Sequence, residues 1–138
     1  MEKLFISPTQ LTPEINFSPE ENIFLIKGVS APEDVSELYS RVNEWIKQLV
    51  DDLIHFGPRH YSIVYPITFK IELSYFNSSS AKSLYDMFLE LKRLLAVGIS
   101  VVVEWTYDEE DEDIKEAGSA IASLLDMEFN FIPQNNEE

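Results

Sequence analysis

Apolar residues recur at two different spacings along this chain, and the alternation between them predicts the fold class. Val35, Leu38, Val42, Trp45, Ile46, Leu49, Val50 and Leu53 return at steps of three and four, the repeat of a helix with one buried face. Pro32 is expected to open this helix, because a first-turn proline lacks only an N–H that would be unpaired there. Gly57-Pro58 is expected to close it. Ile67, Phe69, Ile71 and Leu73 instead alternate with Thr68, Lys70 and Glu72, which predicts a strand from Ile67 to Tyr75. Leu84, Phe88, Leu91 and Leu95 mark a second helix ending at Gly98. Ile99 to Trp105 is a near-continuous apolar run, expected to be an internal strand buried on both faces and lying beside Ile67 to Tyr75. Ile114, Ala117, Ile121, Leu124 and Leu125 define a third helix, and Glu128 to Ile132 a last short strand. Near the start, Glu14 to Phe17 and Ile23 to Lys27 flank the turn residues Ser18 to Asn22 and predict a hairpin, with Gly28 breaking its second strand.

The order strand-strand-helix-strand-helix-strand-helix-strand predicts a single α/β domain. Its sheet should be mixed and mostly parallel, with three helices on right-handed crossovers. The domain is expected to occupy residues 1–133, and residues 134–138 to form a polar, frayed tail.

Composition narrows the chemistry. The chain has 138 residues, 45% of them hydrophobic, which suits one domain with a real core. No apolar run reaches the roughly 18 residues that a membrane span needs. The start, Met1-Glu2-Lys3-Leu4-Phe5, lacks the basic and apolar regions of a signal peptide, so a cytoplasmic location without membrane insertion is expected. There is no cysteine, which excludes disulfides, thiol catalysis and thiolate metal sites. Two histidines, His55 and His60, are half of an ordinary zinc ligand set at most, and they flank Gly57-Pro58 as loop and helix-end residues. The net charge of -15 would be repelled by a phosphate backbone, so nucleic acid is not expected as a partner. No cofactor is implied.

The charge is uneven. Glu104 to Glu116 holds eight acids and one lysine, whereas Lys82 to Arg93 holds three basic and two acidic residues. Asp108 to Asp113 is acidic throughout and lacks the spacing and turn glycine of a calcium loop. Acids also favour the first turn of a helix through the macrodipole, and no tight divalent site is expected there. A dense acidic patch can also steer a basic partner surface.

Four stretches, in this order and spacing, carry a resemblance. They are Thr9-Gln10-Leu11-Thr12-Pro13, then Gly28-Val29-Ser30-Ala31-Pro32-Glu33, then Leu73-Ser74-Tyr75-Phe76-Asn77-Ser78-Ser79-Ser80, and last Val103-Glu104-Trp105-Thr106-Tyr107-Asp108 with Asp111-Glu112-Asp113. The element order, with a serine-rich turn between the third predicted strand and the second helix, resembles the STAS fold of anti-sigma-factor antagonists. The stretches together resemble the SiaC-type regulatory phosphoproteins over nearly the whole chain. That resemblance implies a partner-switching module. A dedicated protein kinase would phosphorylate Ser78 and a PP2C-type phosphatase would restore it. The unmodified form would engage a target, a diguanylate cyclase controlling biofilm formation. The family's phosphoacceptor can be threonine, in Asn-Thr-Ser-Ser; serine here keeps the hydroxyl.

Two readings of Ser78 rest on the same geometry. Ser and Asn are preferred at helix starts as caps. A helix start also offers free N–H groups and partial positive charge to a phosphate. Asn77 as cap and Ser78 as acceptor are compatible. Asn77, Ser79 and Ser80, with Lys82 one turn on and Tyr85 two turns on, are candidate switch-turn and partner-binding residues. Tyr75, Phe76 and Tyr85 are either core or an aromatic rim for a partner. Trp45 and Trp105 are expected in the core. Two alternatives stay open. One is a regulator of transcription acting like an anti-sigma-factor antagonist. The other is a small hydrolase using Ser78, although the glycines of a nucleophile elbow and an evident histidine base are missing. The signalling reading makes the protein a non-enzyme.

Overall fold

The computed structural model describes residues 1–135; within them lie six strands, a short 3-10 turn at Pro19–Glu21 and three α-helices. The expected hairpin forms from β2 (Glu14–Ser18) and β3 (Ile23–Ser30), paired antiparallel, but Gly28 does not break β3 as expected: the strand runs on through it to Ser30, absorbing a register shift. An extra strand precedes it: β1 (Leu4–Ile6) pairs antiparallel with β2, Phe5 opposite Asn16. Three residues are too few to show an alternation, which is why periodicity passes over this strand.

Helix α1 (Val35–Phe56) starts after Asp34, whose carboxylate accepts from the Glu37 N–H at 3.1 Å. Pro32 therefore lies before the helix rather than in its first turn, which corrects the expectation from the sequence. An N-terminal carboxylate relieves an orphan donor, which proline cannot do. Gly57 closes the helix at φ 100, a left-handed value suited to glycine. β4 (Ile67–Phe76), α2 (Ser78–Ala96), β5 (Val101–Asp108), α3 (Glu112–Leu125) and β6 (Phe129–Gln134) follow. Gln134, expected in the frayed tail, belongs to β6; residues 136–138 of that tail lie outside the described residues.

The sheet order is β1-β2-β3-β4-β5-β6, antiparallel up to β3 and parallel beyond it. Strand order follows chain order, so each crossover steps the same way, and crossovers of one hand place every helix on one face. Contacts of α1 with α2 and of α2 with α3 agree. The single α/β domain with a mixed, mostly parallel sheet is thus as expected, and β5 lies inside it between β4 and β6.

One expectation fails. β5 is not buried on both faces: Val103, Trp105 and Tyr107 face the helices, while Val102, Glu104 and Thr106 sit half-buried on the other face. Among the described residues no helix covers that second face. It is polar instead, with Lys70 between Leu25 and Glu104, and Lys27 between Glu14 and Glu72. Opposite charges across neighbouring strands suit a solvated sheet face. β-branched residues favour pleated, half-buried surfaces, so a valine run need not mean double burial.

Two aromatic groups fill the space beneath the helices. Phe24 stacks on Phe69 at 4.6 Å, with Phe17 against both and Trp45 at the rim, its Nε1 donating to the Glu2 carbonyl. Trp105 stacks on Phe129 at 6.0 Å and meets the edge of Phe76 at 5.8 Å. At the far end of α1, Arg93 of α2 binds Asp51 of α1 at 3.0 Å, and this hydrogen bond holds the Asp51 carboxyl below its usual range.

Tyr61, in the loop after α1, is buried and donates its hydroxyl to the Pro19 carbonyl. Burial, then the neighbouring Tyr65, pushes its phenol from 10.0 up to about 12. The native state therefore holds this proton where the unfolded chain releases it. Stability should be complete below pH 10 and fall as pH rises toward 12. Tyr39, also raised by burial, adds to the same limb. Urea denaturation from pH 9 to pH 12 should show a shallower decline in Tyr61→Phe, which has no proton to lose there; an equal slope would refute the assignment.

Candidate functional site: the start of the second helix

A bulge prepares the site. Gly28, at φ 117, pairs with Leu73, but Val29 pairs with Tyr75, so Ser74 is the extra residue. Its hydroxyl donates to the Gly28 carbonyl at 3.2 Å. The extra residue flips the parity of β4. Tyr75 turns outward, 54% exposed, and Phe76 turns in against Trp105. The chain then delivers Asn77 to the end of β3, where its N–H donates to the Ser30 carbonyl at 3.0 Å.

Asn77 is the cap of α2. Its side-chain oxygen accepts from the Ser80 N–H at 2.8 Å, and its carbonyl from the Ala81 N–H at 2.9 Å. The amides of Ser78 and Ser79 find no partner within the helix. Ser78 and Ser79 are exposed at its first two positions. Ser80 is different. It is fully buried, its hydroxyl donating to the Ser30 carbonyl at 2.9 Å. The structure thus brings Asn77, Ser78 and Ser79 together at the surface and turns Ser80 into the core. Lys82 is exposed but engaged, reaching both carboxylate oxygens of Asp86 at 2.9 Å. Tyr85 is half-buried against the core.

The surroundings are electrostatically lopsided. All three helices begin at the carboxyl ends of β3, β4 and β5. α1 starts with Glu33, Asp34 and Glu37, and α3 with Asp111, Glu112 and Asp113; α2 has no acid in its first turn. Its positive end is therefore the one among the three that no carboxylate meets, flanked by two that are met. The acidic run itself is structural in part: Asp111 caps α3 by accepting from the Ile114 N–H at 3.1 Å, and Asp108 accepts from the Glu110 N–H at 2.9 Å. Among the described residues no three His, Asp or Glu side chains converge as metal ligands.

Both histidines lie far from Ser78. His55 is in the last turn of α1 and His60 in the loop beyond, its ring 4.3 Å from that of Tyr61. Tyr39, close behind the Asn77–Ser80 turn through Ser30, is sixteen residues before His55, about 24 Å along the helix. A hydrolase built on Ser78 has no histidine base within reach. Sequence reasoning missed two residues of this site, Ser30 and Tyr39. Ser30 carries no sequence signal beyond its place in the stretch Gly28 to Glu33. Tyr39 completes the apolar face of α1 but carries a hydroxyl.

These features define a class: a single α/β domain of three helices on a six-stranded mixed sheet that presents an Asn-capped, hydroxyl-bearing turn at the start of its second helix. The chain belongs to the SiaC family of regulatory phosphoproteins, whose family model matches residues 6–134. It is 29% identical over 138 residues, all of both chains, to an uncharacterized protein of Pseudomonas aeruginosa strain UCBPP-PA14. The crystal structure of apo-SiaC from Pseudomonas aeruginosa superposes with a TM-score of 0.79 at 28% identity, covering 97% of this chain and 99% of that one. A matching chain also occurs in the crystal structure of the diguanylate cyclase SiaD in complex with its activator SiaC, from the same species, again at 0.79 and 28%, covering 96% and 99%.

Proposed function

We propose that this protein binds and activates a diguanylate cyclase, and that phosphorylation of Ser78 turns the interaction off. A dedicated protein kinase adds the phosphate and a PP2C-type phosphatase removes it, so that the balance of the two sets cyclic di-GMP production and, through it, biofilm formation. The protein acts by binding, in the cytoplasm, and catalyses nothing itself. Among the described residues no helix is long and apolar enough to cross a membrane.

The observation that carries this reading is the exposed Ser78 at the carboxylate-free start of α2, in a chain that matches the family over nearly its whole length. The likeness to an activator solved with its cyclase supports the choice of target. The test uses purified protein and a diguanylate cyclase from the same organism. Cyclic di-GMP formation from GTP should rise when unmodified protein is added and stay at the basal rate with kinase-treated protein. If no cyclase of that organism responds to the unmodified protein, the target is wrong.

A further inference from the structure

Three buried hydroxyls lie directly behind the switch turn, and counting their protons fixes the direction of every bond between them. Ser80 Oγ is 2.9 Å from the Ser30 carbonyl, which can only accept, so the Ser80 proton goes there. Ser80 Oγ is also 2.8 Å from Ser30 Oγ, and with its own proton committed it must accept the proton of Ser30. Ser30 Oγ is 2.7 Å from the Tyr39 hydroxyl and, for the same reason, accepts from it. Each hydroxyl has one proton to donate. The chain therefore runs one way, from Tyr39 to Ser30 Oγ to Ser80 Oγ to the Ser30 carbonyl, which also takes the Asn77 N–H at 3.0 Å. Ser30 and Ser80 are 0% exposed and Tyr39 is 2% exposed.

We propose that Tyr39, Ser30 and Ser80 are the positioning residues of the switch, a one-way hydroxyl relay that pins the first turn of α2 to the end of β3 and so keeps Ser78 facing outward. This rests on Ser78 as the modified residue. The relay joins three elements, with Tyr39 on α1, Ser30 on β3 and Ser80 on α2. It also divides the three serines by task. Ser80 is excluded as an acceptor, because its hydroxyl is enclosed and already bonded on both sides. Ser78 and Ser79 remain accessible, and the pinned turn is what distinguishes one from the other. A buried polar chain of this kind serves geometry, since an apolar replacement of similar shape could fill the same space without directing the turn.

The test compares Tyr39→Phe and Ser80→Ala with the natural chain. Tyr39→Phe keeps the ring and removes the first proton of the relay. Amide hydrogen exchange, read by NMR, should accelerate at least tenfold at Asn77, Ser80 and Ala81, the hydrogen-bonded amides of the turn, in both variants, while amides of the sheet centre such as Ile71 and Val103 keep their rates. After kinase treatment, site-resolved mass spectrometry should find the phosphate confined to Ser78 in the natural chain and spread onto Ser79 in the variants. Exchange that stays unchanged, or that rises equally across the sheet, overturns the proposal, the second because it marks a loss of general stability. A natural chain whose Ser78 takes no phosphate refutes the Ser78 reading instead, and the exchange data still decide whether the relay holds the turn.

Discussion

Trp105→Ala should cost about 3–5 kcal/mol of folding stability, the range for removing a large aromatic from a packed core. Total stabilities of such domains are about 5–15 kcal/mol, so about a fifth of the reserve or more is at stake. Trp105 is 1% exposed, lies between Phe129 and the edge of Phe76, and donates its Nε1 proton to the Ile114 carbonyl at 3.0 Å. Truncation leaves a cavity and takes a partner from that carbonyl. How closely α3 rests on the ring is visible at Gly118. A Cβ built there would stand 2.5 Å from Trp105 Cε2, closer than real contacts allow. Alanine is the better helix former by about 1 kcal/mol, so Gly118→Ala would stabilise an exposed helix. Here the overlap costs about 1–3 kcal/mol, and the ring cannot retreat because Phe76 and Phe129 hold it on other sides. The net sign should be destabilising. Urea denaturation of both variants checks this: a loss below about 1 kcal/mol for Trp105→Ala would mean the ring is not the packing centre described.

The same residues show where sequence reading works and where it stops. The helices were legible because four to eight apolar positions at helical spacing in each outweigh local ambiguity. The Asn77 cap was legible because capping is local chemistry between a side chain and an amide three residues on. β5 as an internal strand was legible too, but not its second face. Burial of that face depends on where all the helices go, a property of the whole topology that no single strand carries. Pro32 was misplaced because Asp34, two residues later, is the stronger starting signal. Ser80 and its partners Ser30 and Tyr39 were illegible for a related reason. They lie up to 50 residues apart in the chain and meet only where β3, α1 and α2 pack together. Ser78 and Ser80 look alike in sequence; a helical rotation of two residues sends one to solvent and the other into the core.

Phosphorylation of Ser78 should weaken binding to the proposed cyclase partner by about a hundredfold, a change of roughly 2.8 kcal/mol at 1.4 kcal/mol per factor of ten. The phosphate adds about -1.5 to -2 charges. On its own chain little neutralises it. Lys82 lies one turn on but is bound to both oxygens of Asp86, and the starts of α1 and α3 on either side are acidic. The helix dipole and the amides of Ser78 and Ser79 do favour the phosphate, by about 0.3–1 kcal/mol at an exposed terminus, so the fold should survive modification. What changes is the contact. A partner that packs over a small, neutral helix start must then either desolvate a strongly hydrated dianion or stand off from it, and either course costs binding energy. Ser78→Ala should bind constitutively. Ser78→Asp, with a single charge and fewer acceptor oxygens, should lose about tenfold rather than a hundredfold. Calorimetry with kinase-treated protein, its phosphate located by mass spectrometry, measures the effect, and circular dichroism should be identical before and after treatment. Phosphate on Ser79 or elsewhere, or a phosphorylated protein that binds the cyclase as tightly as the unmodified one, would sink the switch assignment; a changed circular dichroism spectrum would instead mean that the modification acts by unfolding the start of α2.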